Sequence, residues 1–129
     1  MKKGGYVDGF VFTVPKKNIG AYKKMAGEAS KIWKKFGALE YYECAGDDLK
    51  VKTTPGMDKP RAFKEMAKAK DVDTVWFSFI VFKNRAQRDT VNKKVMDYFG
   101  KKYADQKDMS MPFDIKRMAY GGFKVVVSS

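Results

Sequence analysis

The sequence predicts an α+β protein with the ferredoxin-like order of strand, helix, strand, strand, helix, strand (βαββαβ). Two stretches carry this prediction. Val75–Phe82 is apolar at every position but Ser78, as in a strand buried on both faces, and it runs directly into an amphipathic helix. An earlier strand and long helix, between Tyr6 and Phe36, repeat the same pairing. We therefore expect one four-stranded antiparallel sheet with two helices on one face.

The composition suits a single domain that spans residues 1–129. Hydrophobic residues make up 44% of the 129 positions, enough to fill one core. No apolar run reaches the roughly 20 residues of a membrane span, and the first residues lack the apolar middle of a signal peptide. The one cysteine, Cys44, cannot close an internal disulfide, which favours a reducing cytoplasmic location. We expect Cys44 itself to be a small buried strand residue.

The charge balance and the absence of histidine limit the chemistry. Without histidine the chain lacks the commonest general base and the usual zinc and haem ligand, so we predict no metal site and no cofactor. Acid–base chemistry would depend on Asp, Glu, Tyr, Lys or Cys44. The net charge of +12 indicates either phosphate-bearing partners or lysine used as a solubility coat. Because lysines occur along most of the chain, the coat is the favoured interpretation.

The first strand and the first helix occupy the N-terminal third of the chain. Tyr6–Val14 is the strand, and Pro15 ends it because proline cannot donate to a ladder. Asp8 is the one charge in this apolar setting, and we expect it to bond to a nearby Lys, Arg or backbone N–H. The helix covers Lys16–Phe36. Its apolar stripe steps by three and four residues and consists of Ile19, Tyr22, Ala26, Ala29, Trp33 and Phe36.

The second strand is followed by a long segment of different composition. Ala38–Ala45 alternates as a strand does. Gly46–Asp73 contains two prolines, many lysines and few large apolar residues, which predicts an excursion on the protein surface. Within it Arg61–Ala69 is a possible short helix. A loop of this length either closes over a pocket or is an idle insertion.

The second helix is predicted over Arg85–Phe99, with Asn84 as its N-cap and Gly100 as its stop. Arg88 lies at the N-terminal end of the inward face, where helix amides also favour an anion. One interpretation is a clamp for a carboxylate or phosphate ligand, with Arg85 assisting. The alternative is a structural salt bridge to one of three carboxylates, namely Asp8, Glu40 or Asp114.

The last part of the chain is predicted to hold a polar turn and one more strand. Lys101–Ser110 is polar and suits a short turn or helix, and Arg117–Val127 is the last strand. Gly121 and Gly122 weaken the strand propensity, so they indicate a bulge or a close backbone approach.

Two helices cover only one face of such a sheet, yet the first and third strands carry large apolar residues on both faces. Leaving them in water would create a patch larger than monomers normally expose, and each large side chain removed from water gains roughly 1.5–3 kcal/mol. Either a second copy or a ligand such as nucleic acid must cover this face. RNA-recognition modules stack bases on aromatics of the same strands, and Phe77–Phe82 matches half of their third-strand signature. The basic–Gly–aromatic–Gly half is missing, since Thr74–Phe77 stands there.

Four sequence blocks resemble the YbaA-like family of bacterial proteins, a domain of unknown function. They are YVDGF (6–10), FGALEYYEC (36–44), FSFIVF with RDTVNKKVM (77–82 and 88–96), and MPFDIKRMAYGGF (111–123). The resemblance covers nearly the whole chain and implies a dimeric α+β barrel, in which two sheets pack face to face. The chain departs from the family pattern in the excursion after Asp48 and at Ile115, where glycine is common.

The resemblance implies a pocket between sheet and helices, as in related barrels that include cofactor-free monooxygenases and isomerases. We accordingly expect a homodimer that binds or transforms a small anionic or aromatic molecule, with RNA binding on the aromatic sheet face as the alternative. If the chain is an enzyme, Asp8 is the candidate acid–base group, Arg88 the anion clamp, and Tyr41 or Tyr120 the proton donor. The candidate ligand-binding residues are Tyr6, Trp33, Trp76, Arg85, Phe113 and Asp114.

Overall fold

Four strands and two long helices form the structure, which is a computed structural model that describes residues 4–106 and 110–129. The elements follow the predicted order, with one short additional helix. Their bounds are β1 Tyr6–Pro15, α1 Ile19–Lys35, β2 Glu40–Ala45, α2 Phe63–Met66, β3 Asp73–Phe82, α3 Arg85–Lys102 and β4 Ala119–Lys124, with 3-10 turns at Lys16–Asn18 and Ile115–Arg117.

The strands form one sheet in the order β2–β3–β1–β4, and every neighbouring pair is antiparallel. The central pair is the longest, because β1 and β3 align from Tyr6 opposite Phe82 to Pro15 opposite Asp73. This order places β2 and β4 at the two edges. The predicted α+β fold with a four-stranded antiparallel sheet is confirmed, and it is consistent with the ferredoxin-like order.

The helices cover one face of this sheet, here called the helix-covered face. Phe12 and Val14 of β1 and Phe82 of β3 point to that side and are fully buried. One part of the core joins Phe82 to Val91 and Val95 of α3. The other part lies under α1; its buried members are Phe12, Val14, Tyr22, Ala26 and Trp76.

The opposite face carries the alternate residues of each strand and is here called the helix-free face because neither long helix packs on it. Phe77 of β3 is 46% exposed there and Phe123 of β4 is 62% exposed. Excursion residues Leu49 and Phe63 lie at the Val75 end of this face, where Thr13 and Val75 are buried.

Cys44 also points to the helix-free face. It is exposed, so the prediction of a buried cysteine is wrong. The physical reason is that β2 is an edge strand, and Cys44 lies at an open cavity on this face that Phe63 of α2 also lines.

Both long helices differ from their predicted bounds. α1 begins at Ile19 because the three residues after Pro15 form a 3-10 turn, and the predicted stripe does not include the buried Ile32. α3 continues through Gly100 to Lys102, so the predicted stop is wrong. A glycine inside a helix costs only about 0.5–1 kcal/mol, which the rest of α3 tolerates. The predicted N-cap is confirmed, since the Asn84 side chain accepts from Gln87 N at 2.8 Å.

The remaining strand bounds are also shorter or shifted. β2 starts at Glu40, and β4 covers Ala119–Lys124 because a 3-10 turn occupies the preceding residues. The ladder between β1 and β4 is continuous, so no bulge forms. The close approach does occur at Gly122, where a Cβ atom would collide with the Tyr6 ring and its hydroxyl. The predicted polar turn at 101–110 falls partly outside the described residues.

In the excursion, the structure has only the short helix α2, inside the predicted range 61–69. Across the described ranges 4–106 and 110–129, no helix combines the length and the apolar character that crossing a membrane requires.

Candidate functional site

A buried ion pair lies at the centre of the helix-covered face. Asp8 of β1 is 1% exposed, and Arg88 Nη1 from the first turn of α3 donates to its Oδ1 at 3.2 Å. Asn92 Nδ2, one turn further along α3, donates to Oδ2 at 3.1 Å. Tyr120 Oη of β4 donates to the same oxygen at 3.3 Å. The carboxylate therefore receives three donors from two elements.

The residues around Asp8 also satisfy most of the hydrogen-bond donors of the Arg88 guanidinium. Arg88 Nη2 donates to Tyr6 Oη and Nη1 donates to Tyr120 Oη, both at 3.1 Å. Nε lies 3.0 Å from Asp89 Oδ1, an ion pair without hydrogen-bond geometry. Burial opposes the charge of Arg88, but Asp8 and Tyr120 outweigh it and raise the pKa of the guanidinium. We call Tyr6, Asp8, Arg88, Asn92 and Tyr120 the Asp8 network.

A cavity of about 500 Å³ lies between α1 and the β2–β3 side of the sheet. Its floor is set by strand alternation, which turns Tyr41 and Glu43 of β2 towards the helices, beside Trp76 of β3. Its opposite wall is a stripe of α1 residues at spacings of three and four. These are Ile19, Lys23, Ala26, Gly27 and Ser30, of which the last three are small and leave the space open. We call this cavity the Glu43 pocket.

The carboxylate of Glu43 is held by two tyrosines, with the Ser78 hydroxyl of β3 as a further hydrogen-bonding neighbour. Tyr22 Oη of α1 donates to Oε1 at 2.8 Å, and Tyr41 Oη donates to Oε2 at 2.6 Å. Burial raises the pKa of Glu43, and the hydroxyl bonds offset this only partly. Burial, together with the neighbouring negative charge of Glu43, also raises the pKa of Tyr22 and of Tyr41. Both phenols therefore remain donors across the neutral range.

Glu43 has no ion-pair partner among the described residues, which distinguishes it from Asp8. The one cationic side chain on the pocket wall, Lys23, is exposed to solvent. The described residues contain no group of three or more His, Cys, Asp or Glu placed to hold a metal ion. The pocket thus presents a partly buried, unpaired carboxylate next to aromatic rings.

The residues predicted as a site fall into two groups. Asp8, Arg88, Tyr120 and Tyr6 meet in the Asp8 network, so the predicted structural salt bridge of Arg88 is the one to Asp8. These four line none of the main cavities that the described residues form. Trp33 is not a member of the Asp8 network but contacts it, because its Nε1 donates to Asn92 Oδ1 at 3.0 Å.

The second group surrounds the Glu43 pocket. Tyr41 and Trp76 line it, and the ring of Trp33 lies 6.0 Å from that of Tyr41. Phe113 packs 5.9 Å from the Tyr22 ring, behind the pocket.

The last two predicted residues stand apart. Arg85 is exposed at the start of α3. Asp114 caps the second 3-10 turn and accepts from Arg117 Nε at 2.8 Å. Neither contacts the Asp8 network or the Glu43 pocket in the contacts described.

The sequence analysis did not single out Glu43 and Asn92. A signal for Glu43 was present, because Tyr41, Glu43 and Ala45 alternate onto one strand face and the carboxylate is the only charge there. The signal for Asn92 is its spacing, because a residue four positions after Arg88 lies on the same face of the helix.

Replacing Arg88 with alanine would leave Asp8 buried without a cation. We expect the Arg88→Ala variant to lose about 3–5 kcal/mol of unfolding free energy, the usual cost of breaking a buried pair from one side. Urea denaturation measures the change. Arg85→Ala, at an exposed site in the same helix turn, should stay within about 0.5 kcal/mol of the parent protein. Equal small losses in both variants would contradict a stabilising role for the ion pair.

The raised pKa of Glu43 has a consequence for stability. Between the ordinary glutamate pKa of 4.5 and the raised one, the folded protein holds a proton that the unfolded chain has released. The free energy of unfolding contributed by Glu43 should therefore fall as pH rises through this window. The measurement is the difference between the parent and Glu43→Gln in urea denaturation across pH 4–8, with Glu40→Gln as the control for loss of a carboxylate on the same strand. A difference that grows in favour of the parent as pH rises would contradict the assignment.

Comparison with known proteins identifies relatives over almost the full length. Residues 5–115 match a family model described as "Protein of unknown function (DUF1428)". "Uncharacterized protein YbaA" of Escherichia coli strain K12 is 39% identical over 123 residues, which cover 95% of this chain and 97% of that protein. The protein of the same name from Shigella flexneri gives the same values.

Two solved structures show a weak likeness. A hydantoinase/carbamoylase family amidase from Burkholderia ambifaria has 14% identity and a TM-score of 0.34, over 98% of this chain and 29% of that chain. AtUAH in complex with glyoxylate has 9% identity and a TM-score of 0.34, over 95% and 28%. The chain spans less than a third of either protein, and likenesses this weak carry no argument.

The family match and the 39% identity agree with the resemblance found in the sequence blocks. The family model spans β1 to α3 with the Glu43 pocket and ends before β4 and Tyr120, and the 39% identity covers 95% of the chain. The chain therefore belongs to the YbaA-like family of unknown function, DUF1428.

Proposed function

We propose that this protein is a cytoplasmic homodimer that binds a small molecule in the Glu43 pocket of each subunit. The observation that carries the proposal is a cavity of about 500 Å³ with aromatic walls and a carboxylate that lacks a cation. Cavities of this size, mostly apolar with a few convergent polar groups, are typical of small-molecule sites. The single cysteine fits a reducing compartment.

The Glu43 pocket is a better candidate than the Asp8 network. An anionic ligand that used Arg88 as its clamp would have to displace Asp8, whose carboxylate already holds the guanidinium at 3.2 Å. No such competition exists in the pocket, where Trp76 and Tyr41 offer aromatic surface. Of the two ligand classes predicted from the sequence, the aromatic one is favoured. If the ligand is transformed, Glu43 and Tyr41 are the groups placed to exchange protons with it.

The dimer is proposed through the helix-free face. Phe77, Tyr42 and Phe123 are between 43% and 62% exposed there, and Phe79 lies 4.8 Å from the Tyr42 ring. Among the strand residues on this face only Glu40 and Asp73 carry a charge. An aromatic surface with so few charges resembles the core of a protein–protein interface.

The register adds a reason why a second copy fits. Gly9 of β1 lies opposite Gly121 of β4, and both present only hydrogen to this face. The Phe123 ring lies over the pair, 3.4 Å from where a Cβ of Gly9 would be. The glycine pair therefore makes room for the Phe123 ring over the sheet, which adds exposed apolar surface on the β1–β4 side that a copy related by a two-fold axis can cover.

RNA is the second candidate for the same face, because exposed aromatics can stack on bases. Its weakness is electrostatic. Sheet binders of nucleic acid place Lys or Arg beside the stacking rings to contact phosphates, and the strand residues of this face include neither. We favour the second copy.

A charge placed in the proposed interface should separate the subunits. We expect Phe77→Asp to convert a dimer into a monomer at micromolar concentration, because two carboxylates would be buried without partners. Sedimentation velocity measures the mass. Met96→Asp, at a residue of α3 that is 56% exposed, should remain dimeric. A parent protein that sediments as a monomer would overturn the dimer, and RNA retardation at low salt that disappears in Phe77→Ala would favour the second candidate.

Filling the pocket should abolish ligand binding without damaging α1. Gly20 and Gly27 are both helical, and a Cβ at either position meets nothing within 4 Å. Only Gly27 lines the Glu43 pocket. We expect benzyl alcohol, a neutral aromatic probe, to shift the amide resonances of Tyr41 and Trp76, and Gly27→Leu to weaken its binding at least about tenfold.

Gly20→Leu is the matched control for the pocket experiment, since both substitutions raise helix propensity by a similar amount. It should bind the probe as the parent protein does. Equal binding in the parent and in Gly27→Leu would place the ligand elsewhere and overturn the proposed pocket.

A further inference from the structure

We propose that the ligand of the Glu43 pocket is a protonated amine on a small aromatic or apolar body, with Glu43 as its counter-ion. This inference rests on the proposed function, because it names the ligand class of the same pocket. It starts from an imbalance on the helix-covered face. Two carboxylates lie there, Asp8 and Glu43, and only Asp8 has a cation from the protein.

The hydrogen bonds of Glu43 leave room for a donor from the ligand. A carboxylate accepts at about four lone-pair positions. Tyr22 takes one on Oε1, Tyr41 takes one on Oε2 and the neighbouring Ser78 hydroxyl takes a third, so one position stays free. The tyrosines come from two different elements, α1 and β2, and they fix the plane of the carboxylate. An ammonium group, with three N–H donors, matches what remains.

The electrostatics select for a cation. A charge in a partly buried site interacts several times more strongly than in water, and an unpaired carboxylate there is costly until a cation arrives. A carboxylate or phosphate ligand would instead bring like charges together. The rings of Trp76 and Tyr41 on the walls add a favourable surface for an organic cation and its apolar body.

A purely structural role for Glu43 is the alternative, with the two tyrosine bonds tying α1 to β2. The cavity beside Glu43 indicates that a structural role is not the full explanation for this carboxylate. Three of the α1 residues that line the pocket, Ala26, Gly27 and Ser30, are small, so they leave the cavity in front of the carboxylate open. In the Asp8 network the equivalent position is occupied by Arg88. In the pocket the one cationic side chain from the described residues, Lys23, is exposed and makes no ion pair with Glu43, and a ligand cation would take the place that Arg88 has beside Asp8.

Three probes of similar size and different charge test the inference on the parent protein. They are benzylamine, benzyl alcohol and benzoate, titrated at pH 7.5 with amide resonances of pocket residues as the readout. We expect benzylamine to bind at least about tenfold more tightly than benzyl alcohol, since hydrogen bonds to charged groups are the stronger class. Benzoate should bind most weakly.

The Glu43→Gln variant isolates the charge. Glutamine keeps an acceptor and a donor for the two tyrosines, so the pocket should retain its shape. We expect the variant to bind benzylamine and benzyl alcohol equally, with the benzyl alcohol affinity within about threefold of the parent value. Glu40→Gln removes a carboxylate from the other face of β2 and should keep the parent ranking.

The pH dependence gives an independent readout. The titratable or charged groups around Glu43 are Tyr22 and Lys23 of α1 and Tyr41 of β2, and β3 contributes none at this point. The tyrosines stay protonated because their pKa values are raised. The preference for benzylamine should therefore vanish as pH falls through the raised pKa of Glu43, while binding of benzyl alcohol stays constant.

Two results overturn the inference in different ways. If benzylamine and benzyl alcohol shift the same pocket resonances with equal affinity, the pocket stands and the amine assignment fails. If none of the three probes shifts pocket resonances, the proposed function fails as well.

Discussion

The ladder between β1 and β3 is the constraint on which the other features depend. Ten consecutive residue pairs hold these strands together, and a period of two sorts every side chain to one face. The two long helices then take the residues of one parity as their core. The other parity is left with Phe77 and Phe123 in water, so the fold itself creates the demand for a second partner surface.

The two buried carboxylates show how one sheet face produces two different environments. Asp8 lies under α3, where an arginine and an asparagine one turn apart both reach it. Glu43 lies under α1, whose facing residues are small and whose polar contribution is the Tyr22 hydroxyl. Charge pairing makes the first a part of the framework. Glu43 is desolvated but has no cationic partner, so it is placed to change its protonation state or to bind a ligand.

The order of the elements and the sheet could be predicted because they follow from local pattern. Alternation, caps and apolar runs are all visible within short windows of sequence. The failures at Gly100 and Cys44 share a different cause. Whether a helix tolerates a glycine, and whether a strand residue is covered, depend on distant parts of the chain that packing alone decides.

The candidate site was harder to predict for the same reason. The sequence offered three carboxylates for Arg88, and only the strand order shows that Asp8, 80 positions away, is the one in reach. Tyr41 and Trp76 were predicted among the site residues, yet the pocket that they line also requires the small stripe of α1. No periodic pattern indicates that a gap will remain beside a carboxylate once the helix has packed.

The two faces of strand β2 contribute to two different features of the molecule. Tyr41 and Glu43 contribute to the pocket, whereas the intervening Tyr42 and the following Cys44 belong to the helix-free face. A shift of this edge strand by one position would exchange the two sets completely. The segment 36–39, which joins α1 to β2, sets that phase. An insertion or deletion in this segment should therefore be tolerated less well than a substitution. Relatives whose β2 carboxylate faces the helices, as Glu43 does here, should keep the same number of residues between α1 and β2.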